Sequence, residues 1–130
     1  MDPITSMFLE IFGNTYELLT YNIRFSQNVI TKSGKPNDTP SPDSLYMEIV
    51  SNRENDFVNW MLEHDETQDG DIIFKVGNRT VKTISFKEAY LVGYSQNPGN
   101  AGGGVQITED LTISFKTLDF EGAEYERPEV

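Results

Sequence analysis

Apolar and polar residues alternate through much of the chain, and the alternation has the period of strands. Tyr21, Ile23 and Phe25 fall on one face and Asn22, Arg24 and Ser26 on the other, the mark of a strand with one wet side. A shorter apolar run, Met7 to Phe12, precedes it. Between them Gly13-Asn14 is a hairpin dipeptide whose residues tolerate positive φ, so the two strands are expected to pair antiparallel. Residues 31–44 hold three prolines and one glycine with no apolar side chain, which predicts a long exposed loop outside any ladder. A strand from Leu45 to Val50 follows. Ser51-Asn52-Arg53-Glu54 then fits a capping box, and Phe57, Val58, Met61 and Leu62 recur at helical spacing. With Asn55, Asp56, Asn59 and Glu63 outside, this predicts a short amphipathic helix ending near His64 or Asp65.

The rest reads as strands: Asp71 to Val76, a turn at Gly77-Asn78-Arg79-Thr80, a run from Val81 to Gln96 and another from Val105 to Phe120. In the first long run Ile84 and Phe86 stay in step with Tyr90, Val92 and Tyr94 only if Glu88 points inward. In the second, parity flips between Phe115 and Leu118 across Lys116-Thr117. Bulges or bends explain both, and they let long strands curl into a barrel. The glycine-rich stretch Asn97 to Gly104 reads as a flexible connection. The pattern predicts a mainly β fold: a small antiparallel β-barrel or sandwich with one short amphipathic α-helix. No internal repeat of solenoid period is visible.

A length of 130 residues suits one domain over 1–130, with 1–6 and 127–130 expected as flexible ends. The net charge of -11, with 10 Lys and Arg scattered along the chain, argues against a nucleic-acid partner. The acidity itself is read as serving solubility, with a basic partner or a cation-rich surface as the alternative. Without cysteine, disulfides, thiolate zinc sites and Cys nucleophiles are excluded. The N-terminus has no basic n-region, and Glu10 interrupts its apolar stretch, so neither a signal peptide nor membrane insertion is expected. The chain is expected to fold in the cytoplasm and to leave, if it does, by a route that reads no cleavable signal.

Candidate chemistry is sparse. His64 is the sole histidine and no G-x-S-x-G elbow accompanies it, so a nucleophilic triad lacks support. Asp65, Asp69, Gly70 and Asp71 resemble a calcium loop, but Thr67 and Val76 occupy ligand positions, and the cluster reads as a helix-to-strand turn. The glycines before Val105-Gln106 lack the Lys-Ser/Thr of a phosphate loop. Glu109-Asp110 and the acidic tail Glu121, Glu124, Glu126 and Glu129 read as solvated surface. No catalytic set, metal or cofactor is expected, and the chain is not read as an enzyme. The place to look for a partner is the long polar loop, with Lys32, Ser33, Gly34, Lys35, Pro36, Asn37, Asp38, Thr39, Pro40 and Ser41 as candidate contacts.

Five segments in order resemble the Hcp, or TssD, family of type VI secretion tube proteins, especially its Bacteroidetes form. They are Gly13-Asn14-Thr15-Tyr16-Glu17-Leu18-Leu19, Phe57-Val58-Asn59-Trp60-Met61, Asp69-Gly70-Asp71-Ile72-Ile73-Phe74-Lys75, Ile84-Ser85-Phe86-Lys87-Glu88-Ala89-Tyr90-Leu91-Val92-Gly93-Tyr94, and Leu111-Thr112-Ile113-Ser114-Phe115. Glu88, where Asp is usual, and the extended glycine-rich stretch depart from the family pattern. The resemblance implies a subunit that forms hexameric rings stacked into the inner tube of a contractile sheath. It also implies sheath, spike and effector proteins as partners, and subunit contacts through the loop at 31–44. Two other readings remain: a monomeric ligand- or carbohydrate-binding barrel, which requires an apolar cavity inside one subunit, and a phage tail-tube-like subunit of the same architecture.

Overall fold

The computed structural model describes residues 3–26, 41–63 and 65–126. Strands β1 (Ser6–Ile11) and β2 (Asn14–Ser26) form the expected antiparallel hairpin, with Ile11 facing Asn14. Its turn is Phe12-Gly13, at φ 58° and 75°, one residue earlier than the Gly13-Asn14 pair suggests. Phe12 occupies a left-handed position that costs about 1–2 kcal/mol for an L-residue. Its ring meets Phe57 and Trp60 edge-on, at centroid distances of 5.3 and 5.8 Å, and these contacts offset the strain.

Partway along, β2 changes both partner and parity. Tyr16 and Leu18 are buried, whereas Tyr21 and Ile23 pack on the core from the other register, and a bulge between Leu18 and Thr20 exchanges them. The strand pairs with β1 as far as Glu17 and with β3 (Ser41–Val50) from Leu18 onward. Residues 41–44, read from the sequence as loop, therefore belong to a strand. Pro42 is tolerated there because the ladder on the other side of β3 starts only at Leu45, leaving no second partner to receive an N–H.

The helix α1 (Asp56–Leu62) starts later than the capping box predicts. Ser51 Oγ accepts from the Arg53 N–H at 3.2 Å and Asn52 Oδ1 from the Glu54 N–H at 2.9 Å, so both side chains close turns ahead of the helix. Arg53, at φ 74°, cannot belong to a first helical turn. The buried face is also narrower than expected: Phe57 and Trp60 are inside, and Met61 and Leu62 are exposed. Leu62 lies two residues beyond Trp60, about 200° round the helix, and so faces away from the core.

Strands β4 (Gln68–Val76) and β5 (Arg79–Ala101) join through Gly77-Asn78, with Gly77 at φ 60° in the first central position of the turn. Like β2, β5 passes between partners: it pairs with β4 up to Ala89 and with β6 (Gly104–Ser114) from Tyr90. The exchange occurs at Glu88, φ 49°, with Ile84 and Phe86 buried before it and Ala89 and Leu91 after it. Glu88 is thus outside, not inward as parity alone required, and Tyr90 and Val92 face out with it. A left-handed residue is the cheaper solution, because an inward Glu88 would bury a carboxylate.

The glycine-rich stretch is no flexible connection either. β5 continues to Ala101, Gly102 and Gly103 turn at φ 56° and 91°, and Asn100 pairs with Val105. The predicted parity flip near Lys116 is present as a break between β6 and the short β7 (Thr117–Asp119), which pairs with β5 on one side and β8 (Glu124–Glu126) on the other. Around the barrel the order is β4-β1-β2-β3-β6-β5, closed by β4 against β5. Leu9, Leu45, Ile49, Ile72, Leu111 and Ile113 fill its interior with no exposed surface.

Candidate functional site

Asp69, Gly70 and Asp71 of the candidate calcium loop are occupied structurally. Asp69 Oδ1 accepts the Glu88 N–H at 2.9 Å, which fixes the kink in β5, and Asp71 Oδ1 accepts from Ser85 Oγ at 2.6 Å across the β4–β5 ladder. Gly70 lies buried against the Phe86 ring. Among the described residues no three His, Cys, Asp or Glu side chains converge to hold a metal. His64 lies outside the described residues, as do Lys32, Ser33, Gly34, Lys35, Pro36, Asn37, Asp38, Thr39 and Pro40 of the candidate contact loop. Ser41 opens β3, paired with Ser26.

Glu109 and Asp110 are not a solvated pair. Glu109 points into the barrel at 1% exposure, accepting from Tyr94 Oη at 2.5 Å, and Gln96 Nε2 donates in turn to Tyr94 Oη at 2.7 Å. Asp110 points the other way and accepts from Tyr46 Oη at 2.9 Å, Ser95 Oγ at 3.1 Å and Asn97 Nδ2 at 2.6 Å. Together they rivet β3, β5 and β6 on both faces. Burial above all, and then the adjacent carboxylate, pushes both Tyr46 and Tyr94 up to about 12. The signal for Glu109 was present in the sequence, since it shares parity with Leu111 and Ile113.

Glu109 Oε2 is buried with no hydrogen-bond partner among the described residues; what they otherwise leave unsatisfied are edges and apolar patches. Beyond Leu18, β2 pairs with β3 alone, and beyond Ala89, β5 pairs with β6 alone among the described residues. Among the described residues, the four-stranded sheet β2-β3-β6-β5 consequently ends in an unpaired edge on each side. Large apolar side chains stand exposed outside it, including Ile4, Leu19, Leu62, Val92 and Val105. A solid barrel whose acidic side chains secure strands, and whose free features are edges and patches, is by construction a building block for assembly with other copies.

The comparisons agree. The model of the hemolysin coregulated protein Hcp (TssD) family matches residues 5–128. Hcp1 from Flavobacterium johnsoniae superimposes with a TM-score of 0.84 at 26% identity, over 95% of this chain and 100% of that one. Hcp1 from Salmonella typhimurium follows at 0.68 and 16% identity, over 87% and 83%. A chain of the anti-feeding prophage baseplate shares the fold at 0.58 and 13% identity, over 92% and 95%. No curated protein sequence matches. The chain belongs to the Hcp (TssD) family and is a subunit of the type VI secretion tube.

Proposed function

We propose that the chain closes with copies of itself into six-membered rings, that the rings stack into the inner tube, and that effectors travel within or upon them as the tube is expelled. The observation that carries this reading is the pair of bare edges on one sheet, residues 19–26 of β2 and 90–101 of β5. Two different edges on one subunit make a head-to-tail contact, and such a contact closes into a ring when its rotation divides a full turn. Ser26 and Ser41 pair at the far end of the sheet from the β5–β6 turn, and we place the segment Lys32 to Ser41 among the subunit contacts. The part is structural, with sheath and spike as its other partners and export through the apparatus itself. A filled barrel leaves no interior room for the ligand that a monomeric binding module would need.

Native mass spectrometry and negative-stain electron microscopy of the purified chain test the reading. Six-membered rings are expected, and a chain that stays monomeric at high concentration contradicts it.

A further inference from the structure

An apolar cleft of about 740 Å³ opens where β1 begins and β2 parts from it. Ile4 and Leu19 stand exposed on its rim, Phe8 is half-buried in its wall, and Phe74 beside Tyr21 closes the floor. Two lysines, outside the lining itself, stand against rings that belong to it. Lys75 Nζ stands 5.2 Å from the centroid of Phe8, and Lys82 Nζ stands 5.6 Å from that of Phe74. Glu17 is the one carboxylate in the lining. A cleft of this composition fits a segment that is apolar at its centre and acidic around it.

The chain carries such a segment. At the C-terminal end of α1, Leu62 is 76% exposed and Met61 39%, and the exposed carboxylates of Glu63, Asp65 and Glu66 follow at once. Cleft and segment cannot meet within one protomer. The helix packs on the Phe12-Gly13 turn at the C-terminal end of β1, whereas the cleft lies at its N-terminal end, about 20 Å away along six residues of strand.

We propose that Met61 and Leu62 of one copy, with their acidic flank, dock into the cleft between Ile4, Phe8 and Leu19 of the next copy. Each protomer then offers one cleft and one helix end, and the contact repeats head to tail from copy to copy. The proposal rests on the tube-subunit reading and adds a side-chain contact to the backbone edges.

The test compares the wild-type chain with Leu62→Asp, with Lys75→Glu/Lys82→Glu, and with that pair combined with Glu63→Lys/Glu66→Lys. Sedimentation velocity over a concentration series reads assembly, and circular dichroism with thermal melting checks folding. Leu62→Asp alters a side chain already in water, so the protomer keeps its fold. Both Leu62→Asp and the lysine pair are expected to raise the concentration for half-assembly by about tenfold or more. The four-fold charge exchange is expected to restore it to within about threefold of wild type, which a general effect of surface charge would not do. If Leu62→Asp and the lysine pair assemble as the wild type does, the docking is overturned and the cleft serves another occupant, while the tube reading stands. If the wild-type chain itself never assembles, both fall.

Discussion

Gly70 shows how little room the barrel leaves at single positions. A Cβ at this position would overlap the Phe86 ring, and Phe86 is wholly buried. Gly70→Ala must therefore push the ring or the β4 backbone aside. A loss of about 1–3 kcal/mol is expected from urea denaturation of the variant. The hydroxyls of Tyr16, Tyr46 and Tyr94 supply a pH test. Burial above all lifts each from the ordinary 10.0 to about 12, and Asp56, Asp110 and Glu109 respectively add to the shift. The folded chain thus retains protons that the unfolded chain releases. This contribution is complete below pH 10, the unfolded value, and is lost as pH rises through 12, the folded one. Urea midpoints should fall between about pH 9 and pH 11.5, and Tyr94→Phe should narrow the difference. A midpoint that stays level would contradict the assignment.

Among the elements, the helix makes the sharpest contrast between exposed and buried apolar residues. Phe57 and Trp60 join Phe12 and Tyr16 in one aromatic cluster, with Tyr16 to Phe57 at 5.1 Å. Phe57→Ala should cost about 3–5 kcal/mol. Met61→Ala and Leu62→Ala should change protomer stability by no more than about 0.5 kcal/mol, since neither side chain is buried. Thermal melting of the three variants separates these outcomes, and an equal loss at Leu62 would mean that the helix packs differently. Sequence patterning located the helix but misjudged its face. Helical spacing of Phe57, Val58, Met61 and Leu62 records where apolar residues are, not which of them the neighbouring turn can cover. The same limit explains Glu88. Alternation revealed that something happens between Phe86 and Tyr90, but an inward glutamate and a left-handed kink keep the same letters. The edge of the glycine-rich stretch was hidden for another reason, because Gly102-Gly103 serves a tight hairpin as readily as a linker. Glu109 was legible and passed over, its parity with Leu111 and Ile113 outweighed by its charge.

At the scale of the whole molecule, the β-barrel class and the family were accessible from the order of five segments, none of which decides the matter alone, whereas the strand order was not. What alternation could not supply is which edges remain bare, since pairing is a property of registers between distant residues such as Leu18 with Ile49 and Gln96 with Glu109. The candidate contact loop gives the corresponding prediction. Deleting Lys32 to Pro40 and joining the ends with a short Gly-Ser linker should leave the protomer folded, because the segment Lys-Ser-Gly-Lys-Pro-Asn-Asp-Thr-Pro brings no large apolar side chain to a core. It should weaken assembly in sedimentation velocity. Unchanged assembly would exclude the loop from the subunit contacts.

The passage of β5 through both halves of the barrel also has a mechanical meaning. Its 23 residues form one unbroken strand, hydrogen-bonded first to β4 and then to β6. A thrust delivered to one sheet reaches the other along covalent backbone instead of across a side-chain interface. Sliding the sheets apart would require many ladder bonds to shear together, a mode in which they share the load, rather than open one after another like a zip. A tube subunit is thus stiffened by the same corner strand that closes its fold.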